Sequence, residues 1–236
     1  MLRSCMISFE KIRKRAAKRK GGEKVLQTLL PKVTPKNKLS SIPDDRILSE
    51  MTKRVFSAGF VWKVVENKWP GFEEAFLRFD PAKLLEQSNR FWDDLSSDER
   101  IIRNAQKISS VRKNAQFVID VAIEYGSFGK FLANWPIQDQ IGLLDFLSKR
   151  GARLGGNTGQ YFLRFIGRDS FILSSDVILC FRDIGLPISA SGKSKKDLIL
   201  IQDQFNVWAK ETGLPYTHLS RICAFSIGEN NSIEEE

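Results

Sequence analysis

The sequence feature that most constrains the fold is a cluster of glycines between two short apolar segments, within residues 149–177. The preceding segment, residues 139–150, is followed by the helix stop signal Gly151, and the next segment, residues 160–166, ends at Gly167. In the first segment the apolar residues recur at helical spacing: Ile141, Leu144, Phe146 and Leu147. The pattern predicts two helices joined by a tight glycine turn.

This turn has the properties of a phosphate-binding site. Glycines allow positive φ, and at a helix N-terminus they let backbone N–H groups point outward at an anion. The basic side chains beside the turn could add charge. The residues that this interpretation assigns to DNA binding are Gly155, Gly156, Asn157, Thr158, Gly159, Lys149, Arg150 and Arg153. A glycine-terminated helix pair inside a helical bundle explains the glycines equally well.

The sequence from this turn to Asp176 resembles a known arrangement. Residues 154–159 read Leu-Gly-Gly-Asn-Thr-Gly, and residues 169–176 read Asp-Ser-Phe-Ile-Leu-Ser-Ser-Asp. Together they resemble the helix-hairpin-helix motif and the downstream aspartate of the base-excision DNA glycosylases. In that superfamily the hairpin usually reads Leu-Pro-Gly-x-Gly, so Gly155 replaces the proline and Thr158 replaces the second glycine.

A longer resemblance lies upstream of the hairpin. Residues 48–62 (LSEMTKRVFSAGFVW), 72–81 (FEEAFLRFDP) and 100–115 (RIIRNAQKISSVRKNA) are similar to DNA-3-methyladenine glycosylase I. With the hairpin, the similarity extends from Leu48 to Val177, which is over half of the chain. The chain is therefore identified as a member of the superfamily, with glycosylase I as its nearest family.

The resemblance implies an all-α fold of the helix-hairpin-helix glycosylase type, with two helical lobes and a cleft between them. No alternating stretch is long enough to require a sheet. We expect a basic N-terminal arm and linker at residues 1–40, a helical glycosylase-like domain at 41–228 with its hairpin at 139–167, and an acidic tail at 229–236. The basic run at residues 10–20 is expected to be a solvated helix or a flexible arm, or alternatively a segment that follows the DNA backbone.

Net charge and hydropathy restrict the classes of partner that the protein can bind. The 236 residues include 17 Phe and 5 Trp, enough for a packed core, and 37 Lys+Arg against 28 Asp+Glu give a net charge of +9. Such a balance favours an anionic partner. No apolar run approaches the roughly 20 residues of a membrane helix, and no signal-peptide pattern opens the sequence. We expect a cytoplasmic protein without membrane association. The resemblance adds double-stranded DNA with alkylated bases as the partner, and a monomeric state.

The chain is predicted to bind no metal and no other cofactor. Related glycosylases carry a zinc site of two Cys and two His, or an iron–sulfur cluster on four closely spaced cysteines. This sequence has His218 as its one histidine, and its cysteines are the widely separated Cys5, Cys180 and Cys223. Neither site can be assembled from these residues, and no CxxC pair is present.

By the same resemblance, Asp176 is the candidate catalytic residue, because a carboxylate can stabilise the positive charge that develops on the sugar during base excision. Ser174 and Ser175 are typical of a helix N-cap, which places Asp176 in a first turn where the helix dipole favours its ionised form. The alternative is a simple capping residue. At the hairpin position where bifunctional relatives carry a lysine nucleophile, this chain has Gln160, which cannot form a Schiff base.

The resemblance also suggests a base pocket. The residues assigned to this pocket are Trp62, Tyr161, Phe60, Glu50 and Arg54. Trp62 matches the aromatic residue that stacks on the flipped base, although packing in the core is its alternative role. Arg54 aligns with the family glutamate that recognises the methylated adenine, and an arginine there would repel a cationic base. Glu50 lies one turn earlier, away from the apolar face of the same predicted helix, and could pair with Arg54 and compensate.

The leading hypothesis is a monofunctional DNA glycosylase that excises alkylated purines, most plausibly 3-methyladenine, by base flipping and hydrolysis of the N-glycosidic bond. The alternative is a non-catalytic helix-hairpin-helix protein that holds damaged or bent DNA. A third possibility is a helical protein-interaction module, which would show no salt-dependent affinity for DNA.

Overall fold

The computed structural model describes residues 8–228 and places them in fourteen α-helices, with no strand among them. The helices are α1 (Phe9–Lys20), α2 (Glu23–Thr28), α3 (Lys36–Ser40), α4 (Asp44–Ser57), α5 (Trp62–Ala75), α6 (Pro81–Leu85), α7 (Asn89–Asp94), α8 (Ala105–Tyr125), α9 (Phe128–Asn134), α10 (Gln140–Arg150), α11 (Asn157–Phe165), α12 (Ser175–Asp183), α13 (Lys195–Thr212) and α14 (Tyr216–Ser226). The predicted all-α class is confirmed. In this range no helix has the length and apolar character needed to cross a bilayer. The expected acidic tail, residues 229–236, lies outside the described residues.

The chain divides into two compact units. The terminal unit comprises Met1–Val33, Ile137–Ile141 and Asp169–Glu236, and the central unit comprises Thr34–Pro136 and Gly142–Arg168. Each unit has its own hydrophobic core. This division differs from the expected arm followed by a single domain, because the N-terminal helices share their core with the C-terminal helices.

The basic run at residues 10–20 lies within α1, a packed helix of the terminal unit. Phe9, Ile12 and Ala16 are buried on one face of α1, which packs along α14. On its other faces the guanidinium groups are engaged, since Arg15 pairs with Asp183 at 2.6 Å and Arg19 donates to the Phe225 carbonyl at 3.1 Å. Of the two expected forms, a solvated helix and a flexible arm, the run adopts the helix, and apolar residues at helical spacing anchor one face of it in the core.

The rest of the terminal unit is built from α12, α13 and α14 around stacked aromatic rings. The ring of Phe205 lies 4.7 Å from that of Phe171 and 4.9 Å from that of Phe181, and Trp208 stacks on Phe181 at 5.2 Å. Helix α12 begins at a serine cap, because the Ser174 side chain accepts a hydrogen bond from the Val177 N–H. Packing and capping together fix the start of α12, where Asp176 lies.

The central unit is organised around α4 and α8. These two helices and the segment just before α8 contribute much of the buried core: Ile47, Leu48, Met51, Val55, Ile101, Ile102, Ile108, Val111, Phe117 and Val118. Helix α4 ends at Ser57, and Gly59 then adopts a φ of +75° in the turn before α5. Because α11 packs against α4, the second helix of the hairpin lies beside the start of α5.

Candidate functional site

Three aromatic rings from distant parts of the sequence meet in the central unit. Trp62 begins α5, while Tyr161 and Phe165 lie one turn apart on α11. The ring centroid of Trp62 is 5.1 Å from that of Tyr161 and 5.4 Å from that of Phe165, in edge-to-face arrangements. These three rings are called the aromatic cage below. The cage places two predicted pocket residues, Trp62 and Tyr161, side by side.

The side chain of Arg54, on α4, fills the aromatic cage. Its guanidinium carbon lies 4.0 Å from the ring centroid of Phe165 and 5.0 Å from that of Trp62. Its Nε atom is 2.7 Å from Oε1 of Glu50, and the two side chains are 3% and 20% exposed. The predicted pair of Glu50 and Arg54 therefore exists. It does not lie on a solvated face, however, because rings from α5 and α11 enclose it.

Burial opposes both charges of this pair. It raises the pKa of the Glu50 carboxyl, while the positive charges of Arg54 and Lys53 act in the opposite direction. Burial also lowers the pKa of the Arg54 guanidinium, an effect that the charges of Glu50 and Glu66 offset in part. Arginine keeps its proton in proteins. The cage thus contains a guanidinium that stays protonated, next to a carboxylate whose burial costs free energy.

Phe60 is not brought to the aromatic cage. It lies on the turn between α4 and α5, where 44% of its surface is exposed. Its ring faces the ammonium group of Lys107, which lies 4.8 Å from the ring centroid. Among residues 8–228 the ring of Phe60 makes no contact with the three rings of the cage. The expected place of Phe60 in the base pocket thus has no support in the geometry.

Lys107, on α8, holds the end of α4 and was not anticipated from the sequence. Its Nζ atom donates to the carbonyl oxygens of Phe56 at 3.1 Å and Ala58 at 2.7 Å. These carbonyls lie at the end of α4, where the last carbonyl groups of a helix have no hydrogen-bond donor within the helix. Burial and the nearby charge of Arg153 lower the pKa of Lys107. The lysine therefore fixes the turn from which Trp62 emerges.

Replacement of Lys107 by methionine is expected to lower the free energy of unfolding by about 2 kcal/mol, because two carbonyls at the end of α4 lose a charged donor while the side chain keeps most of its apolar length. Urea denaturation followed by circular dichroism measures this change. Lys113, exposed on the same helix, provides the control, and Lys113→Met should stay within about 0.5 kcal/mol of wild type. Equal stabilities for the two variants would contradict the capping role.

The hairpin between α10 and α11 forms a tight turn. Arg153 and Gly156 both have a φ of +60°, and Gly155, Gly156 and Asn157 are exposed. Helix α11 already begins at Asn157, three residues earlier than expected, so Asn157, Thr158 and Gly159 form its first turn. Gly159 is buried, and a Cβ atom there would collide with the carbonyl oxygen of Leu154. Gly159 therefore serves close packing, while the earlier glycines present the N–H groups at the helix start.

The three basic residues beside the hairpin all have partners within the protein. Lys149 pairs with Asp145 at 2.6 Å, and Arg150 pairs with Glu124 at 2.9 Å while facing the ring of Phe146. Arg153 donates to the side chain of Gln106. The first of these pairs is highly exposed and is therefore weak and screened by salt. A phosphate can compete for Lys149 more easily than for Arg150.

Asp176 lies in the first turn of α12, as predicted, and belongs to the terminal unit. Its side chain is half-buried. The carboxylate lies directly against Gly228, where an added Cβ atom would overlap it. Arg19 donates to the carbonyl oxygen of Gly228 at 2.5 Å. The backbone at Gly228, with a φ of +78°, thus leaves the space that the carboxylate occupies.

Phe165 is the cage residue that sequence reasoning missed. It was considered only as part of the apolar stretch after the glycine turn, yet 45% of its surface is exposed. The signal in the sequence is an aromatic residue four positions after Tyr161, and therefore on the same face of the predicted helix. The structure thus groups Glu50, Arg54, Trp62 and Tyr161 with Phe165, and places Phe60 elsewhere on the central unit.

The all-helical architecture with its glycine hairpin is that of the helical DNA glycosylase fold. Residues 40–143 match the model of the methyladenine glycosylase family. This segment contains Glu50, Arg54 and Trp62. The predicted relationship to the methyladenine glycosylases is therefore confirmed over this segment, and the match supports an enzyme of the DNA glycosylase type.

Solved structures of two glycosylases are similar to this chain. The 3-methyladenine DNA glycosylase I from Staphylococcus aureus is 24% identical, over 53% of this chain and 77% of that chain, with a TM-score of 0.47. The 8-oxoguanine glycosylase/lyase from Methanocaldococcus jannaschii, solved with DNA containing 8-oxoguanine, is 13% identical over 91% and 96% of the two chains, with a TM-score of 0.50. The second likeness shows that the helical glycosylase fold extends over most of this chain.

Proposed function

We propose that this protein is a monofunctional DNA glycosylase that excises alkylated purines, with 3-methyladenine as its principal substrate. The observation that carries the proposal is the position of Trp62 and Glu50. Both lie in the segment that matches the methyladenine glycosylase family, and both contact the same buried cation. Aromatic rings and a carboxylate around a cation are what a positively charged purine requires of its pocket.

The extruded base stacks on the aromatic cage. An enzyme that acts on a base must take it out of the helical stack, and stacking on an aromatic side chain offsets part of the cost of extrusion. The carboxylate of Glu50 attracts the positive charge of an alkylated ring. Normal bases lack this charge, so the same site discriminates against them.

Asp176 stabilises the sugar during the reaction. The bond between C1′ of the deoxyribose and the purine nitrogen breaks with its electron pair going to the base, so a cationic purine leaves as a neutral molecule. The positive charge that develops on the sugar is stabilised by the Asp176 carboxylate. Water then adds to C1′ and releases a proton, which leaves an abasic site.

The hairpin holds the DNA backbone, and the strand stays intact. The exposed N–H groups at Gly156 and Asn157 bind a phosphate at the N-terminus of α11, where the helix dipole favours an anion. Lys149 adds charge beside it. Gln160 has no nucleophilic amine and is buried in α11, so no covalent intermediate with the sugar forms at this position.

The test of this function uses duplex DNA treated with a methylating agent, with released bases separated by chromatography. We expect release of 3-methyladenine and an abasic strand that breaks only after alkali treatment. Strand cleavage without alkali would contradict the monofunctional assignment. DNA binding without release of any methylated base would overturn the proposal and favour the non-catalytic binding protein.

Trp62→Ala is expected to lower kcat/KM for base release by about 5- to 150-fold, which corresponds to the roughly 1–3 kcal/mol of stacking that one base gains on an aromatic ring. Trp62→Phe keeps a ring in this place and should retain most of the activity. Single-turnover excision assays on methylated duplex compare the three proteins. If the alanine variant were as active as the phenylalanine variant, the stacking role of Trp62 would be excluded.

A further inference from the structure

The aromatic cage is a complete site for an organic cation that already contains one. The guanidinium of Arg54 lies against the rings of Phe165 and Trp62 at 4.0 and 5.0 Å, with the Glu50 carboxylate 2.7 Å from its Nε. Proteins recognise planar and quaternary organic cations with this combination of aromatic faces and negative charge. Here the bound cation belongs to the chain itself.

The fit of Arg54 in this site is imperfect. Nε of Arg54 and Oε1 of Glu50 are both buried, yet neither has an aligned hydrogen-bond partner. Their contact is a close ion pair in an environment that raises the pKa of Glu50 by desolvation. For such buried pairs the cost of desolvation offsets most of the attraction. The guanidinium is therefore held weakly enough for another cation to replace it.

We propose that Arg54 is a displaceable internal occupant of the base site, and that a purine binds there only by taking the place of its guanidinium. This inference rests on the proposed function and adds a condition to it. Displacement reduces the affinity for every ligand by the same factor, because the binding-competent state is only a fraction of the population. The preference among ligands comes from Glu50, which a cationic purine pairs with and a neutral purine leaves buried and unpaired.

Together, the competition from Arg54 and the charge preference of Glu50 restrict binding to cationic purines. Glu50 favours a cationic purine over a neutral one, and competition from Arg54 lowers the affinity for both. A neutral base, which gains only stacking, then falls below useful binding, whereas a cationic base still binds. This also accounts for an arginine in a pocket that accepts cations: it departs before the cation enters, so the two charges never share the site.

The test measures nucleoside binding by calorimetry, without DNA and without catalysis. The probes are 7-methylguanosine under mildly acidic conditions, where it carries a positive charge, and guanosine as its neutral counterpart. We expect Arg54→Ala to bind both nucleosides at least about tenfold more tightly than wild type, as the removal of a competing cation–π and ion-pair contact predicts. The ratio of the two affinities should remain unchanged.

A double variant keeps the test informative if Arg54→Ala misfolds, and it shows which residue causes the preference for the cationic nucleoside. Glu50→Gln combined with Arg54→Ala removes both buried charges, so it is expected to fold even if Arg54→Ala alone does not. It should bind guanosine more tightly than wild type does and lose the preference for 7-methylguanosine. Adding Trp62→Ala to Arg54→Ala should weaken the binding of both nucleosides, which places the ligand in the cage.

The sign of the change decides the proposal. If the double variant, or Arg54→Ala where it folds, bound guanosine no more tightly than wild type, Arg54 would not be an internal competitor. Weaker binding would make Arg54 a group that contacts the base directly. Because these measurements need no excision, tighter binding by the variants combined with an absence of base release would retain the role of Arg54 and reject the proposed enzymatic function.

Discussion

Asp176→Asn is expected to reduce the single-turnover rate of base excision by about 100-fold or more, the scale on which loss of one electrostatic stabiliser of a charged transition state is observed. Asparagine preserves the size of the side chain, and the cap of α12 is Ser174 and not Asp176. The variant should therefore fold normally. Its affinity for methylated duplex should stay close to that of wild type, because the carboxylate acts on a charge that is present only during the reaction.

The matched control is Asp203→Asn, an exposed carboxylate on α13 of the same unit. It changes the net charge equally, so any general electrostatic effect on DNA binding appears in both variants. Excision by the Asp203 variant should equal that of wild type. If Asp176→Asn excised 3-methyladenine at the wild-type rate, the carboxylate would have no part in catalysis, and the positive charge of the leaving base would suffice.

The elements of the central unit could be predicted because their signals are local. The apolar spacing in residues 139–150 and the glycines that follow predict two helices and a turn, and all three are present. The start of α11 was placed too late, because Asn157, Thr158 and Gly159 are poor helix formers. Tertiary packing overrides this preference at Gly159, where the chain passes close to Leu154.

The environment of Arg54 could be predicted only in part. The spacing of Glu50 and Arg54 indicates a pair, but nothing local indicates that the pair is buried. Its burial depends on Phe165, which is more than a hundred residues away in the sequence and reaches α4 only after the hairpin has packed. In the basic run of α1, the many charged residues favour a solvated segment. The buried side chains of Phe9 and Ile12 nevertheless place one face of this helix in a core.

Gly159→Leu is expected to lower the free energy of unfolding by about 3 kcal/mol, at the upper end of the cost of overpacking, because a Cβ atom would collide with a backbone carbonyl. The colliding atom is the oxygen of Leu154, and the side chain of Leu144 also lies 3.2 Å from the Cβ position. Leucine is a good helix former, so intrinsic propensity does not cause the loss. Urea denaturation followed by tryptophan fluorescence measures it.

Gly155→Leu is the matched control in the same turn. Gly155 is exposed, and its added Cβ would approach only the Ser148 side chain, at 2.9 Å, which can rotate away. Its effect on stability should stay within about 0.5 kcal/mol. Comparable losses for the two variants would show that the turn tolerates no side chain anywhere, and that the close approach at Gly159 has no special role.

Gly159 also affects the site, because it lies in the first turn of α11. Helix α11 carries Tyr161 and Phe165, so a shift of its first turn moves two of the three rings of the cage without touching Arg54 or Trp62. We therefore expect the Gly159 variant to lose nucleoside binding in the Arg54→Ala background as well as stability. The Gly155 variant, which alters the surface that faces DNA, should keep nucleoside binding and weaken only the affinity for duplex. The two neighbouring glycines would then separate the hairpin's two roles, one in positioning the cage and the other in holding the phosphate.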